Sequence, residues 1–252
     1  MGKSMIFCAA IIFSIPMDAM KERQVTVGSS TYEQIKHDII FGELAPSSKL
    51  KLGVLREKYD ASVSTLRETL RRLDSEGFVL AEEQRGFFVT SVSRKDLIEV
   101  AHLRGLLECN ALRQSIANGD REWEGNLVAA HHKLQQSEEI VISGDESEKE
   151  TWKRYDWEFH LAMIQACDNA NLLSLHSTIY EKYLRYQILV LTNRGREAAN
   201  EHTAMYKATL ARDAEVATDL LDTHITNGLT HTLEHFDPDV TSFTNDAHSW
   251  NR

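Results

Sequence analysis

Apolar residues recur every three or four positions along most of this sequence, which is the period expected of amphipathic α-helices. The spacing predicts three short helices over residues 31–41, 51–59 and 62–73. After a brief linker it predicts six longer helices, over residues 94–118, 122–143, 149–167, 172–193, 197–211 and 214–236. Between the two sets, residues 77–80 and 86–89 are rich in phenylalanine and valine and predict two short strands joined by a turn.

The pattern therefore predicts a mainly α protein with two domains. Residues 25–93 carry three helices followed by a β-hairpin, the element order of an N-terminal winged helix-turn-helix domain. Residues 94–236 lack the alternating pattern of strands, so we expect a C-terminal all-α antiparallel helical bundle. Pro238 ends the last predicted helix, and residues 237–252 are expected to form a disordered tail.

The charge of the chain argues against a protein that coats nucleic acid without specificity, because the net charge is −10 and the pI is about 5.6. Positive charge is nevertheless concentrated locally: seven cations stand against four acidic residues between Leu44 and Ser75. The cysteines Cys8, Cys109 and Cys167 are isolated in sequence, so the spacing predicts neither a disulfide framework nor a zinc ribbon.

The segment S-V-S-T-L-R-E-T-L-R-R-L, which begins at Ser62, has the pattern of a DNA-recognition helix. Leu66, Leu70 and Leu73 recur at helical spacing and are predicted to face a core. Short hydroxyl side chains at the front of the helix, of which Ser62 or Ser64 can cap it, suit the base edges of a major groove. The alternative interpretation of this segment alone is an amphipathic surface helix.

Three stretches resemble the DNA-binding domain of GntR-type regulators: I-I-F-G-E-L-A-P-S-S-K-L, S-T-L-R-E-T-L-R-R-L-D-S-E-G-F-V and R-G-F-F-V. The resemblance runs from about Thr31 to Val92 and implies binding to double-stranded operator DNA. We expect the contacts to come from outward cations, the helix front and the wing: Lys51, Arg56, Ser62, Ser64, Thr65, Arg67, Arg71, Arg85 and Gly86. Val63 and Gly53 stand where many family members have arginine, so the operator should differ from the commonest type. The segment L-K-L-G-V-L-R-E-K-Y resembles the branch of the carbon-starvation-induced regulator.

Four polar residues interrupt the apolar stripes of the second domain and form a candidate metal site. Asp156 and His160 lie four residues apart on one predicted helix face, so their side chains stack one turn apart. His202 and His224 lie on the inner stripes of two later helices. Three nitrogen ligands and one carboxylate suit zinc, with nickel or manganese as alternatives. The simpler alternative is a hydrogen-bonded Asp–His pair without metal, and His231 and His235 are rivals of His224.

The same residues resemble the effector domain called FCD, over Asp96 to about Phe236, through D-W-E-F-H, E-H and A-T-D-L-L-D-T-H-I. This resemblance implies a metal-containing cavity that binds a small carboxylate effector. Arg104 interrupts an apolar stripe on the first helix of the domain, where a guanidinium could hold a carboxylate in two parallel hydrogen bonds. The alternative for Arg104 is a helical pair with Glu108, four residues further on.

Residues 1–24 form an N-terminal extension in which Lys3 precedes the apolar run M-I-F-C-A-A-I-I-F-S-I. The run is typical of a signal-peptide core and is short for a membrane span. It indicates either a targeting segment or a misplaced start codon, with translation beginning at Met17 or Met20. We favour the misplaced start, because a protein that binds operator DNA works in the cytoplasm.

The sequence as a whole predicts a homodimeric, ligand-responsive bacterial transcription regulator, a repressor rather than an activator. We expect it to be cytoplasmic, not to be an enzyme and to have no membrane partner. Two alternatives remain open: a metal-dependent hydrolase, since an ion with an open position can activate water, and a constitutive DNA-binding protein with a structural metal site.

Overall fold

The computed structural model describes residues 27–190 and 194–237, which divide into two compact units between Ser91 and Val92. The N-terminal extension with its signal-like run lies outside the described residues, as does residue 238 onward of the predicted tail. None of the helices in the described ranges is long and apolar enough to cross a membrane.

The first unit has the elements of a winged helix-turn-helix domain. They are, in order, α1 (Val27–Ile40), β1 (Lys49–Leu50), α2 (Leu52–Tyr59), α3 (Val63–Glu76), β2 (Val79–Glu82) and β3 (Gly86–Val89). The three strands form an antiparallel sheet in the order β1–β3–β2, with Val79 opposite Val89 and Leu50 opposite Phe87. The predicted recognition helix is α3, and its leucines Leu66, Leu70 and Leu73 are fully buried.

Several bounds in the first unit differ from the prediction: α1 begins at Val27 rather than at residue 31, and α3 ends at Glu76 rather than at residue 73. The strand expected to begin at residue 77 begins at Val79, because Gly77 adopts a left-handed conformation (φ 80°) that ends α3. Its N–H bonds back to the carbonyl oxygens of Leu73 and Asp74. Strand β1 was not predicted, since a strand of only two residues has no readable alternation.

The second unit is a helical bundle, and all six predicted helices are present with ends shifted by up to three residues. They are α4 (Arg94–Asn118), α5 (Arg121–Ile142), α6 (Lys149–Ile164), α7 (Ala170–Val190), α8 (Arg196–Leu210) and α9 (Ala214–His235), with a 3₁₀ turn at Glu146–Glu148. Helix α4 packs against α6, α7 and α9, while α5 packs against α6 and α8. Polar side chains of these helices therefore meet inside the bundle.

Asp38 connects α1 to α2 in the first unit. It accepts a hydrogen bond from the Tyr59 hydroxyl at 2.6 Å and forms an ion pair with Lys58 at 2.7 Å. Burial alone would raise the pKa of Asp38, but the hydrogen bonds of its neighbours hold that pKa below its usual value of 3.8. The ionised carboxylate therefore stabilises this unit above pH 4, and the contribution disappears as pH falls through the lowered pKa.

We expect Asp38→Asn to lower the thermal unfolding midpoint at pH 7, because the charge-assisted bonds, about 1–3 kcal/mol in all, are weakened. The difference from the wild type should shrink as the pH falls below about 4, where the wild-type carboxyl is also neutral. Glu57→Gln, an exposed change on α2, is the control and should have little effect. A destabilisation by Asp38→Asn that stays constant down to pH 2 would contradict the assignment.

Candidate functional site

Three buried histidines from α6, α8 and α9 converge in the second unit. His160, His202 and His224, called here the inner cluster, each offer a ring nitrogen within 4.8 Å of the others. Asp156 lies beside them: its Oδ1 is 3.2 Å from Nε2 of His202 and 3.9 Å from Nε2 of His160. The structure thus brings together all four residues that the sequence proposed as metal ligands.

Each histidine of the inner cluster is oriented by a carboxylate at its Nδ1 atom. His160 meets Glu108 of α4, His202 meets Glu138 of α5 at 2.5 Å, and His224 meets Glu201 of α8 at 2.7 Å. Because a carboxylate only accepts hydrogen bonds, these pairs favour the hydrogen on Nδ1. Guanidinium donors also approach the same atom in two of the rings, Arg104 at His160 (3.2 Å) and Arg194 at His224 (3.1 Å). With the hydrogen on Nδ1, the lone pair of a neutral ring is on Nε2, the arrangement found in metal-ligating histidines.

The electrostatics of the inner cluster separate the pKa values of its members. Burial lowers the pKa of His202, but the carboxylates of Asp156 and Glu138 outweigh that effect and raise it to about 9. Burial and the nearby His202 hold the pKa of His224 well below its ordinary value. In the absence of metal, His202 is thus the member that is protonated on both ring nitrogens at neutral pH. A metal ion would have to displace the proton on Nε2.

The donor set fits a late first-row metal ion. Nε2 of His202 is buried and makes no hydrogen bond of good geometry to any described residue, although Asp156 lies close to it. A buried nitrogen whose contact with its neighbour is not a well-formed hydrogen bond is costly, and coordination of an ion would satisfy it. Three nitrogens and one carboxylate oxygen are donors of the types that divalent late first-row ions bind.

A cavity of about 40 Å³ adjoins the inner cluster and is bordered by His202, His224 and three cationic side chains. The cations are Arg104, Lys153 and Arg194. A volume of this size has room for an ion and a few ligand atoms. Each cation is paired with a carboxylate, Arg104 with Glu108, Lys153 with Asp156 and Arg194 with Glu201. Their remaining N–H groups are the donors that an anion in the cavity could meet.

Arg104 forms the helical pair with Glu108 and also borders the cavity. The side chain is 2% exposed, and its Nε bonds Glu108 Oε2 at 2.8 Å, so the helical pair exists but is buried. Its Nη2 lies 3.3 Å from Nε2 of His160, and the guanidinium borders the cavity. The guanidinium therefore lies beside the candidate ion position as well as the cavity.

Several polar partners around the inner cluster were not predicted from the sequence. Glu138 was not singled out, and His176 had no partner by sequence; its Nε2 lies 3.2 Å from Glu108 Oε2, and its ring stacks on Trp157. Glu201 appeared only as a motif letter before His202, yet it bonds His224. Helix periodicity gives no signal for such pairs, because each joins two different helices.

The candidate DNA-contacting residues of the first unit are exposed, apart from Thr65, which is partly buried. The exposed set is Lys51, Arg56, Ser62, Ser64, Arg67, Arg71, Arg85 and Gly86. The Ser62 hydroxyl caps α3 by accepting the backbone N–H of Thr65 at 3.1 Å. Arg67 and Arg71 form no ion pair within the described part of the chain, so both are available to phosphates or bases. Arg85 of the wing pairs with Glu82.

Comparison with known proteins agrees with this architecture. A winged-helix unit followed by a helical bundle with a polar centre defines a regulator of transcription. Residues 28–89 match the family described as bacterial regulatory proteins, gntR family, and residues 99–227 match the FCD domain. The chain belongs to the gntR family and carries an FCD domain at its C-terminal side. Because the family and the relatives below are transcription regulators, the hydrolase alternative is wrong.

Two relatives align over most of their length. The uncharacterized HTH-type transcriptional regulator BphR of Paraburkholderia xenovorans is 37% identical over 79% of this chain and 82% of its own. The HTH-type transcriptional repressor GlaR of Escherichia coli is 30% identical over 77% of this chain and 90% of its own. Among solved structures, Escherichia coli McbR/YncC aligns with a TM-score of 0.72 over 84% of this chain and all of that chain, at 21% identity. That likeness supports the fold.

Proposed function

We propose that this regulator is a cytoplasmic, homodimeric repressor controlled by a small carboxylate. Its inner cluster and Asp156 would hold a divalent metal ion, and the cavity beside them would take the effector. The observation that carries the proposal is the set of three buried histidines, each oriented by its own carboxylate, next to a cavity bordered by cations.

Zinc is the ion we propose, with nickel or manganese as alternatives, because the donor set is rich in nitrogen and buried. The bound ion would supply a Lewis-acid position for one carboxylate oxygen. Arg104 would hold the carboxylate from the other side through its guanidinium. A purely structural metal site accounts for the ligands but not for a cavity beside them into which cationic side chains extend.

The repressor role is supported by the likeness to GlaR, which is named a transcriptional repressor. We propose a homodimer because a protein with two-fold symmetry fits an operator with two-fold symmetry. Its two recognition helices would enter successive half-sites of a near-palindromic operator. In each copy α3 would be the helix in the major groove, with Arg67 and Arg71 presented outward. Lys51, Arg56 and the wing residues Arg85 and Gly86 would add backbone contacts.

Helix α4 is the element through which the effector would act on DNA binding. It carries Arg104 and Glu108, and it begins at Arg94, close in sequence to the boundary between the units. The Tyr186 hydroxyl of α7 donates to Asp96 near the start of α4 at 2.6 Å. Helix α4 is therefore held near its start by α7 and further along by the contacts of Arg104 and Glu108. We propose that α4 can occupy two positions, only one of which suits DNA binding. A carboxylate shifts the balance between them only if it binds one position of α4 better than the other.

Arg67→Ala tests the recognition helix. We expect it to weaken binding to an operator fragment, selected from random DNA by the wild-type protein, by at least about tenfold. Zinc content should stay unchanged, since α3 lies in the other unit. Arg113→Ala, an exposed change on α4, should leave DNA affinity unchanged. Unaltered operator affinity in Arg67→Ala would show that the recognition helix is misassigned.

Neighbouring glutamates on α5 provide a matched test of the metal centre. Glu138→Gln should lower zinc affinity roughly 10–100-fold, because a neutral amide orients His202 less strongly than a carboxylate does. Glu139→Gln removes only an exposed ion pair with Arg196 and should change zinc affinity very little. Competition with a chromogenic chelator measures both. Equal affinities in the two variants would remove Glu138 from the site.

The effector is tested by thermal shift of zinc-loaded and metal-stripped protein with acetate, glycolate, succinate and glutarate. We expect one acid to raise the unfolding midpoint of the zinc-loaded form only; at 100 times its Kd the free energy of unfolding should increase by about 2.7 kcal/mol. Arg104→Lys should reduce that rise, because lysine cannot make two parallel bonds. No rise with any acid, while zinc stays tightly bound, would favour the structural-metal alternative.

A further inference from the structure

A second group of metal-type ligands lies at the C-terminal end of α9. His231, Glu234 and His235, called here the outer cluster, each offer a ligand atom within 4.8 Å of the others. Their spacing of three and four residues places them on one face of the helix. Zinc with bonds near 2.0–2.1 Å holds its ligand atoms roughly 3.3 Å apart. Glu234 and His235 are exposed, so rotamer changes can close the remaining gap.

The tautomer of His235 is fixed for coordination. Its Nδ1 lies 2.8 Å from the carbonyl oxygen of His231, which can only accept. The hydrogen is therefore on Nδ1, and the lone pair of the neutral ring is on Nε2. A backbone carbonyl bonded to the non-ligating nitrogen is a common support for metal-binding histidines.

The position of the outer cluster also suits a cation. It occupies the last turn of α9, which ends at His235, where the helix dipole presents its negative end. His231 is partly exposed and at the same time lines the cavity that reaches His202 and His224 of the inner cluster. One residue thus belongs both to the surface group and to the wall of the buried site.

We propose that the outer cluster binds a divalent metal ion weakly, beside the cavity that His231 lines, and that ions pass from it to the inner cluster. The inner step rests on the proposed function, whereas binding at the outer cluster does not. The outer site has three ligands and open positions for water, so it holds its ion more weakly and releases it more readily than the inner site. A weak external site next to a tight buried one raises the local ion concentration beside the cavity that His231 lines.

The first experiment measures zinc stoichiometry of the metal-stripped full chain by titration with a chromogenic competitor. The wild type should bind one tight equivalent and a second, weaker one. His235→Gln should weaken the second site at least about tenfold and leave the tight one intact. His132→Gln, an exposed histidine change on α5, is the matched control and should keep both. A second equivalent that is absent, or that survives His235→Gln unchanged, overturns the proposal.

The second experiment follows the rate at which the tight site fills after mixing with limiting zinc. His235→Gln should slow filling several-fold, and His132→Gln should not. Equal rates would overturn the transfer role even if the outer site binds zinc. If the wild type binds no tight equivalent at all, the inner metal site of the proposed function is contradicted instead. Failure of the outer site and failure of the inner site are therefore distinguishable. Both variants change exposed side chains, so their folded state can be verified by circular dichroism.

Discussion

The pairing of each histidine of the inner cluster with a carboxylate is the interaction on which the centre of the second unit depends. Three imidazoles and Asp156 inside a helical bundle would be costly without partners. Glu108, Glu138 and Glu201 satisfy the Nδ1 atoms and join α4 to α6, α5 to α8 and α8 to α9. The contacts that orient the candidate ligands are therefore also contacts that hold the bundle together.

The sequence predicted the elements that follow from period alone. Leu66, Leu70 and Leu73 defined α3, and the stripes around Asp156 and His160 defined α6, because burial of one helix face is a local property. Strand β1 was missed, since Lys49 and Leu50 acquire their strand conformation only by pairing with β3. Its existence depends on residues almost forty positions away.

From the sequence, a residue of the candidate site could be predicted only where it is a polar or charged residue on the apolar face of its helix. An arginine, an aspartate and three histidines on apolar faces draw notice, and the structure brings Arg104, Asp156 and the inner cluster together. Glu138 drew none, because it stands beside Glu139 on a helix with many polar residues. One is buried and the other exposed, and this difference is set by the packing of α5 against α8 rather than by composition.

Glu108 has a consequence for how this protein can change over evolution. Its two carboxylate oxygens serve Arg104, His160 and His176, which come from three helices. Replacing Glu108 by an apolar residue would remove the acceptor of three partners in one step. Substitutions at these four positions should therefore be strongly non-additive in their effect on stability, because the four side chains share one network.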